Sequence, residues 1–121
     1  NMGKGILGAR VLVMGMTFKE NVADIRNSKV VDIINELKDF GVDVDVVDAY
    51  ADSEEVKQMY GFGLIEKPRN NYDAVIVAVS HDAYKELDEK YFKSLTYENA
   101  VLVDVKGMYR GKINELKYWS L

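Results

Sequence analysis

The chain has 121 residues, 48% of them apolar, with no cysteine, one histidine and a formal charge of −4 from 16 Lys and Arg against 20 Asp and Glu. That length suits one domain with a single core, and the near-average composition excludes disordered, collagen-like and low-complexity classes. Without cysteine there is no disulfide framework, thiolate-bound zinc or thiol nucleophile, and one histidine excludes a multi-histidine metal site.

No apolar stretch approaches the length needed to cross a bilayer, and no charged segment followed by an apolar run and a cleavage site opens the chain. No two basic residues are adjacent, which with the acidic balance argues against nucleic acid as a partner. The expectation is a soluble, cytoplasmic domain without membrane contact. An anionic small molecule is compatible with it, because a site needs local positive charge and not a basic protein.

Residues 1–9 carry three glycines and no periodicity, and read as a flexible lead-in or linker remnant before one domain over residues 10–121. The run from Arg10 to Gly15 is short, almost wholly apolar and closed by glycine, as a buried strand should be. Met16 to Ser28 is polar and irregular. Val30, Val31, Ile33, Ile34, Leu37 and Phe40 then share one helical face, with Asn27 or Ser28 expected as N-cap and Gly41 as the left-handed stop. Val42 to Val47 alternates with β-branched residues and predicts a second strand ending at Asp48. Asp52 to Tyr60 is an acidic helix with Asp52 or Ser53 as cap, and Leu64-Ile65 a short edge strand before the single proline, Pro68. Asp73 to Val79 is the strongest buried strand. Helical pieces follow over Asp82–Leu87 and Glu89–Leu95, then a strand over Val101–Asp104 and a tail with Tyr118 and Trp119.

Strands buried on both faces alternate with helices, and every strand-to-strand link is too long for a hairpin. Parallel pairing through helical crossovers follows: an open, doubly wound α/β fold, with a mostly parallel sheet of about five strands and helices on both faces.

Such sheets bind ligands beyond the carboxyl ends of their strands. The loop from Gly15 to Ser28 stands out there. It carries Phe18, Lys19 and Arg26 and leads into a helix start, so two cations and free backbone N–H groups could converge on phosphate. The alternative is a solvated loop with Arg26 paired to Asp24. The Gly-x-Gly-x-x-Gly of a dinucleotide site is absent after the first strand, which leaves Asp48 as a weak ribose-binding acid; capping of the following segment is the better role. Lys106 and Gly107 lie just past another strand end, where Lys106 could face the same crevice or Gly107 could simply supply a positive-φ turn. His81 has no evident orienting partner in the sequence, so a cap or packed turn residue is preferred to a general base.

Gly15-Met-Thr-Phe-Lys-Glu-Asn21, Asp24-Ile-Arg-Asn-Ser28, Gly41 to Asp48, Tyr72 to His81 and Val103-Asp-Val-Lys-Gly107 together resemble the C-terminal, UDP-binding domain of the UDP-glucose/GDP-mannose dehydrogenase family. The likeness covers essentially residues 10–121 and is nearest to the bacterial UDP-N-acetylhexosamine 6-dehydrogenases of surface-polysaccharide synthesis. It implies a Rossmann-like sheet, UDP-sugar contacts from Phe18, Lys19 and Lys106, and an Arg26 that reaches towards NAD. Many relatives have arginine at the position of Lys106, and Asp-Pro where this chain has Asp48-Ala49. The family oxidises a sugar C6 alcohol to a carboxylate with two NAD, using a cysteine and a nicotinamide-binding domain that precede this one. The implied chain is therefore a UDP-sugar-binding domain of a larger, usually oligomeric enzyme, with no catalytic residue or metal of its own. Two other readings stand beside it. A receiver-like regulatory module would need clustered acids at the first and third strand ends, where Gly15 and Ser80-His81 stand instead. An adenine-cofactor binder would need a degenerate fingerprint.

Overall fold

The computed structural model describes residues 8–120. The expected lead-in therefore lies almost wholly outside the described residues. Five strands, β1 (Arg10–Met14), β2 (Asp43–Val47), β3 (Tyr72–Val77), β4 (Thr96–Asp104) and β5 (Lys117–Ser120), form one sheet in the order β2-β1-β3-β4-β5. Every neighbouring pair is parallel. The helices are α1 (Val30–Asp39), α2 (Ser53–Tyr60) and α3 (Glu89–Leu95).

Alternation along β1 explains why the sheet is covered twice. Val11 and Val13 pack with Val31 and Ile34 of α1 and Val56 of α2, whereas Leu12 and Met14 pack with Phe92 and Leu95 of α3. A strand buried on both faces can afford no polar position, which is why the apolar runs were legible as strands. Among the described residues no helix is long and apolar enough to cross a membrane.

Several local expectations change. Neither Asn27 nor Ser28 caps α1. Asn27 takes φ +57°, and the Ser28 hydroxyl donates to the Met16 carbonyl 2.6 Å away, leaving Lys29 in the cap position without a side-chain bond. Gly41 does end the helix, at φ +83°. At α2 Asp52 does take the cap position, with extended backbone but no side-chain cap bond, and the Ser53 hydroxyl takes the Leu64 N–H at 2.9 Å. Leu64-Ile65 forms no strand. The chain rounds the edge of β2 there, with one bond from Ile65 N–H to the Val46 carbonyl, Leu64 packing on one core and Ile65 on the other. Only Asp82–Tyr84 of the expected 82–87 helix is helical, as one 3-10 turn.

The tail supplies the fifth strand. The Glu89 carboxylate accepts the N–H groups of Asn114, Glu115 and Leu116, which turns the chain into β5 beside β4. Those three bonds hold the Glu89 carboxyl below its usual range.

Candidate functional site

In the order β2-β1-β3-β4-β5 the chain leaves β1 in one direction and returns to β3 on its other side. The crevice beyond the carboxyl ends of β1 and β3 is thus the topological switch point, where open parallel sheets take ligands. Loop 15–29 occupies it. Gly15 leaves β1 at φ +92°, and its N–H stays bonded to the Val47 carbonyl. Met16 N–H reaches the Asp48 carboxylate at 2.7 Å, the Thr17 hydroxyl donates to the Lys19 carbonyl at 2.8 Å, and Phe18 N–H bonds the Asp24 carbonyl at 2.7 Å. These bonds pair the loop's backbone, and the side chains divide: Met16, Thr17, Ile25 and Ser28 are buried, while Phe18, Lys19, Glu20 and Arg26 are exposed.

A cleft of about 230 Å³ opens between this loop, the first turn of α1 and the end of β4. Val30, Ile33, Ala78, Val79 and Val105 form its apolar wall, and Lys19, Lys29 and Lys106 stand around it with the carboxylate of Glu20. Phe18, 55% exposed, lines the same cleft. Three of the four site residues singled out from the sequence are therefore brought together. Lys29 was missed. It is an isolated lysine in a polar stretch, and only its place at the start of α1 puts it on the cleft.

Arg26 is the fourth, and it does not converge with the lysines. It lines a separate cleft of about 610 Å³ with Glu55, Gln58 and Met59, and its guanidinium makes a two-pronged pair with Asp24, both distances 3.0 Å. The hydrogen bonds from the Arg26 side chain and backbone pull the Asp24 carboxyl down to about 2. The local pairing offered as the alternative is the observed arrangement.

Lys106 is presented by a turn built on Asp104, which is fully buried at the end of β4. Its carboxylate accepts Met108 N–H at 3.0 Å, Tyr109 N–H at 2.7 Å and the Tyr118 hydroxyl at 2.5 Å. Gly107 takes φ +73° in that turn, so the turn and the cleft-facing lysine coexist.

Asp48 is not a free ribose acid. One oxygen accepts Tyr50 and Ala51 N–H, at 2.8 and 2.9 Å, and the other accepts Met16 N–H and lies 3.0 Å from His81 Nε2. Its side chain and that of His81 are both wholly buried. His81 does have an orienting partner, contrary to the reading of the sequence, and it is also a packed turn residue at the start of the 3-10 turn. Burial alone would raise the Asp48 carboxyl. The Met16 and Tyr50 amides, then His81 and the Ala51 amide, outweigh it and hold the group below its ordinary value.

A depressed carboxylate contributes stability that is fully present above its unfolded value near 3.8 and is lost as pH falls through the folded one. Thermal denaturation should accordingly show little change from neutral pH to about 5 and a falling midpoint below about 4. Asp48→Asn should flatten part of that acid limb, and an unaltered limb would remove Asp48 from its causes. Among the described residues no cluster of His, Cys, Asp and Glu could hold a metal ion.

Residues 12–111 match the model of the UDP-glucose/GDP-mannose dehydrogenase family, UDP binding domain. The chain is 42% identical over 100 residues to a UDP-N-acetyl-D-glucosamine 6-dehydrogenase of Pseudomonas aeruginosa, covering 82% of this chain and 24% of that protein. It is 42% identical over 107 residues to protein CapL of Staphylococcus aureus, covering 88% and 25%. Among solved structures, an NDP-N-acetyl-D-galactosaminuronic acid dehydrogenase from Methanosarcina mazei superposes with a TM-score of 0.79 at 23% identity, over 98% of this chain and 25% of that one. The UDP-N-acetyl-mannosamine dehydrogenase Cap5O of S. aureus gives 0.75 at 21% identity, over 93% and 26%. The chain thus spans about a quarter of the relatives it matches. It belongs to the UDP-glucose/GDP-mannose dehydrogenase family, as that family's UDP-binding domain.

Proposed function

We propose that residues 10–121 are the UDP-sugar-binding domain of an NAD-dependent nucleotide-sugar 6-dehydrogenase of surface-polysaccharide synthesis, a cytoplasmic homo-oligomer when whole. The reading is carried by one observation: Lys19, Lys29 and Lys106 surround a single cleft at the sheet's switch point in a chain of net charge −4. Cations beside the first turn of a helix are suited to a pyrophosphate, because fixed charges and backbone N–H groups act on the same oxygens. The apolar wall and exposed Phe18 offer a surface for the base or sugar. About 230 Å³ is less than the roughly 300–1,000 Å³ of complete small-molecule sites, as suits a half-site closed by a second domain. In that whole enzyme the chain places the substrate, while the NAD and the catalytic cysteine belong to the rest of the protein. Arg26, on its separate cleft, faces the NAD-bearing domain.

Titrating UDP into the chain while following amide resonances tests this. Residues 15–30 and 104–107 should shift, and Lys19→Ala and Lys106→Ala should each weaken binding about tenfold, the worth of one charge-assisted hydrogen bond. Lys29→Ala should weaken it as well, since Lys29 lines the same cleft, and Arg26→Ala should leave it unchanged. No response at millimolar UDP, or shifts centred on the Arg26 cleft, would overturn the assignment. Parallel titrations with AMP and NAD separate it from an adenine binder.

A further inference from the structure

The buried imidazole of His81 is placed between the end of β3 and loop 15–29, and the cleft does not use it directly. Its ring has no exposed surface and packs edge-on against two tyrosines, Tyr50 at 4.7 Å and Tyr84 at 5.4 Å between centroids. Nδ1 receives the backbone N–H of Asn21 at 2.9 Å. Nε2 lies 3.0 Å from the Asp48 carboxylate and 3.3 Å from the Thr17 hydroxyl oxygen. These neighbours agree on one tautomer. An amide N–H can only donate, a carboxylate can only accept, and the Thr17 hydroxyl proton is directed at the Lys19 carbonyl. The ring proton therefore sits on Nε2, and Nδ1 is an acceptor.

What Nδ1 holds is the far end of the turn that carries Phe18 and Lys19. Asn21 is left-handed, at φ +61°, and its side-chain oxygen accepts Asp82 N–H at 2.8 Å. Residues 21 and 81–82 are thus clasped reciprocally, backbone to side chain in both directions. We infer that His81 is a positioning residue, whose Nδ1 fixes the shape of the Phe18–Lys19 turn while Asp48 keeps the ring proton on Nε2. This deepens the reading of the cleft as a UDP-sugar site and rests on it for the ligand, though not for the ordering of the turn.

Two substitutions divide the ring into its halves. His81→Asn places a side-chain oxygen near Nδ1 and retains the acceptor for Asn21. His81→Gln places an amide near Nε2 and retains the donor to Asp48, but leaves the Asn21 N–H without its acceptor. Hydrogen exchange and UDP titration on both variants, beside the unaltered chain, test the role. His81→Gln should speed exchange over residues 17–22 about tenfold and weaken UDP by a similar factor, as expected for one lost buried hydrogen bond, with exchange in β1, β3 and β4 unchanged. His81→Asn should stay within about threefold of the unaltered chain in both readouts. Equal losses in the two variants, or no change in either, would overturn the positioning role. If the exchange pattern holds while the unaltered chain ignores UDP, the nucleotide reading fails and the positioning role stands. Long-range nitrogen–proton NMR on the unaltered chain decides the matter even where a variant does not fold: an unprotonated Nδ1 supports the role, and a protonated Nδ1 ends it.

Discussion

Replacing Gly15 with alanine should lower stability by about 3 kcal/mol, a fall of roughly 10–20 °C in Tm for a domain of this size. Two causes add. The residue sits at φ +92°, where a side chain costs about 1–2 kcal/mol. A Cβ there would lie 2.7 Å from the Val79 Cβ and 3.0 Å from the Val79 backbone nitrogen. That neighbour cannot swing aside as a flexible side chain would, because the adjacent Ala78 N–H is tied to the Met14 carbonyl at 2.9 Å. The chain must either separate β1 from β3 at their carboxyl ends or move loop 15–29. Both displace Thr17, Phe18 and Lys19, so UDP affinity should fall along with the unfolding midpoint. Thermal and urea denaturation measure the first part. A midpoint within about 2 °C of the unaltered chain would show that the switch point relaxes easily.

Asp104→Ala should produce a loss of similar size for a different reason. It removes the acceptor from Met108 N–H, Tyr109 N–H and the Tyr118 hydroxyl together. Each buried polar group left without a partner costs about 1–3 kcal/mol, and partial access to water for Met108 and Tyr118 limits the total to about 3–5. The effect should be local as well as global. Tyr118 belongs to β5, and Lys106 stands on the turn that Asp104 holds, so exchange should quicken over residues 106–110 and 117–120 before it does in β1. Asp104→Asn should fall between the two proteins, since its single oxygen can still accept. Equal stability of Asp104→Ala and the unaltered chain in urea would contradict this account of the turn.

How much of this was legible depends on where each signal is written. The apolar runs of β1 and β3, the alternation of β2 and the 3.6-residue spacing of α1 are local patterns, because burial on two faces, one face or one stripe leaves its mark on neighbouring residues. β5 left no such mark. Lys117–Ser120 alternates weakly, and its identity as a strand comes from its partners Val101–Asp104 and from Glu89 holding residues 114–116. The two serine caps failed for a related reason. Ser28 and Ser53 have the right chemistry for a cap, but a distant carbonyl or amide competes for each hydroxyl and wins.

The candidate site divides along the same line. The residue types of the Gly15–Ser28 loop point to Lys19 and Arg26 converging on phosphate, the likeness it carries adds Phe18 and Lys106 as UDP-sugar contacts, and the sequence by itself determined the doubly wound class, the switch-point loop and the family. Only the tertiary structure decided which cations share a cleft. Lys19 and Lys106 meet because β1, β3 and β4 are neighbours, Lys29 joins them at the start of α1, and Arg26 turns away because Asp24, two residues off, satisfies its guanidinium on the loop's outer side. His81 and Asp48 are the same case. They are 33 positions apart in the chain and 3.0 Å apart in space, and a contact set by the packing of two strand ends has no periodicity for a sequence to display.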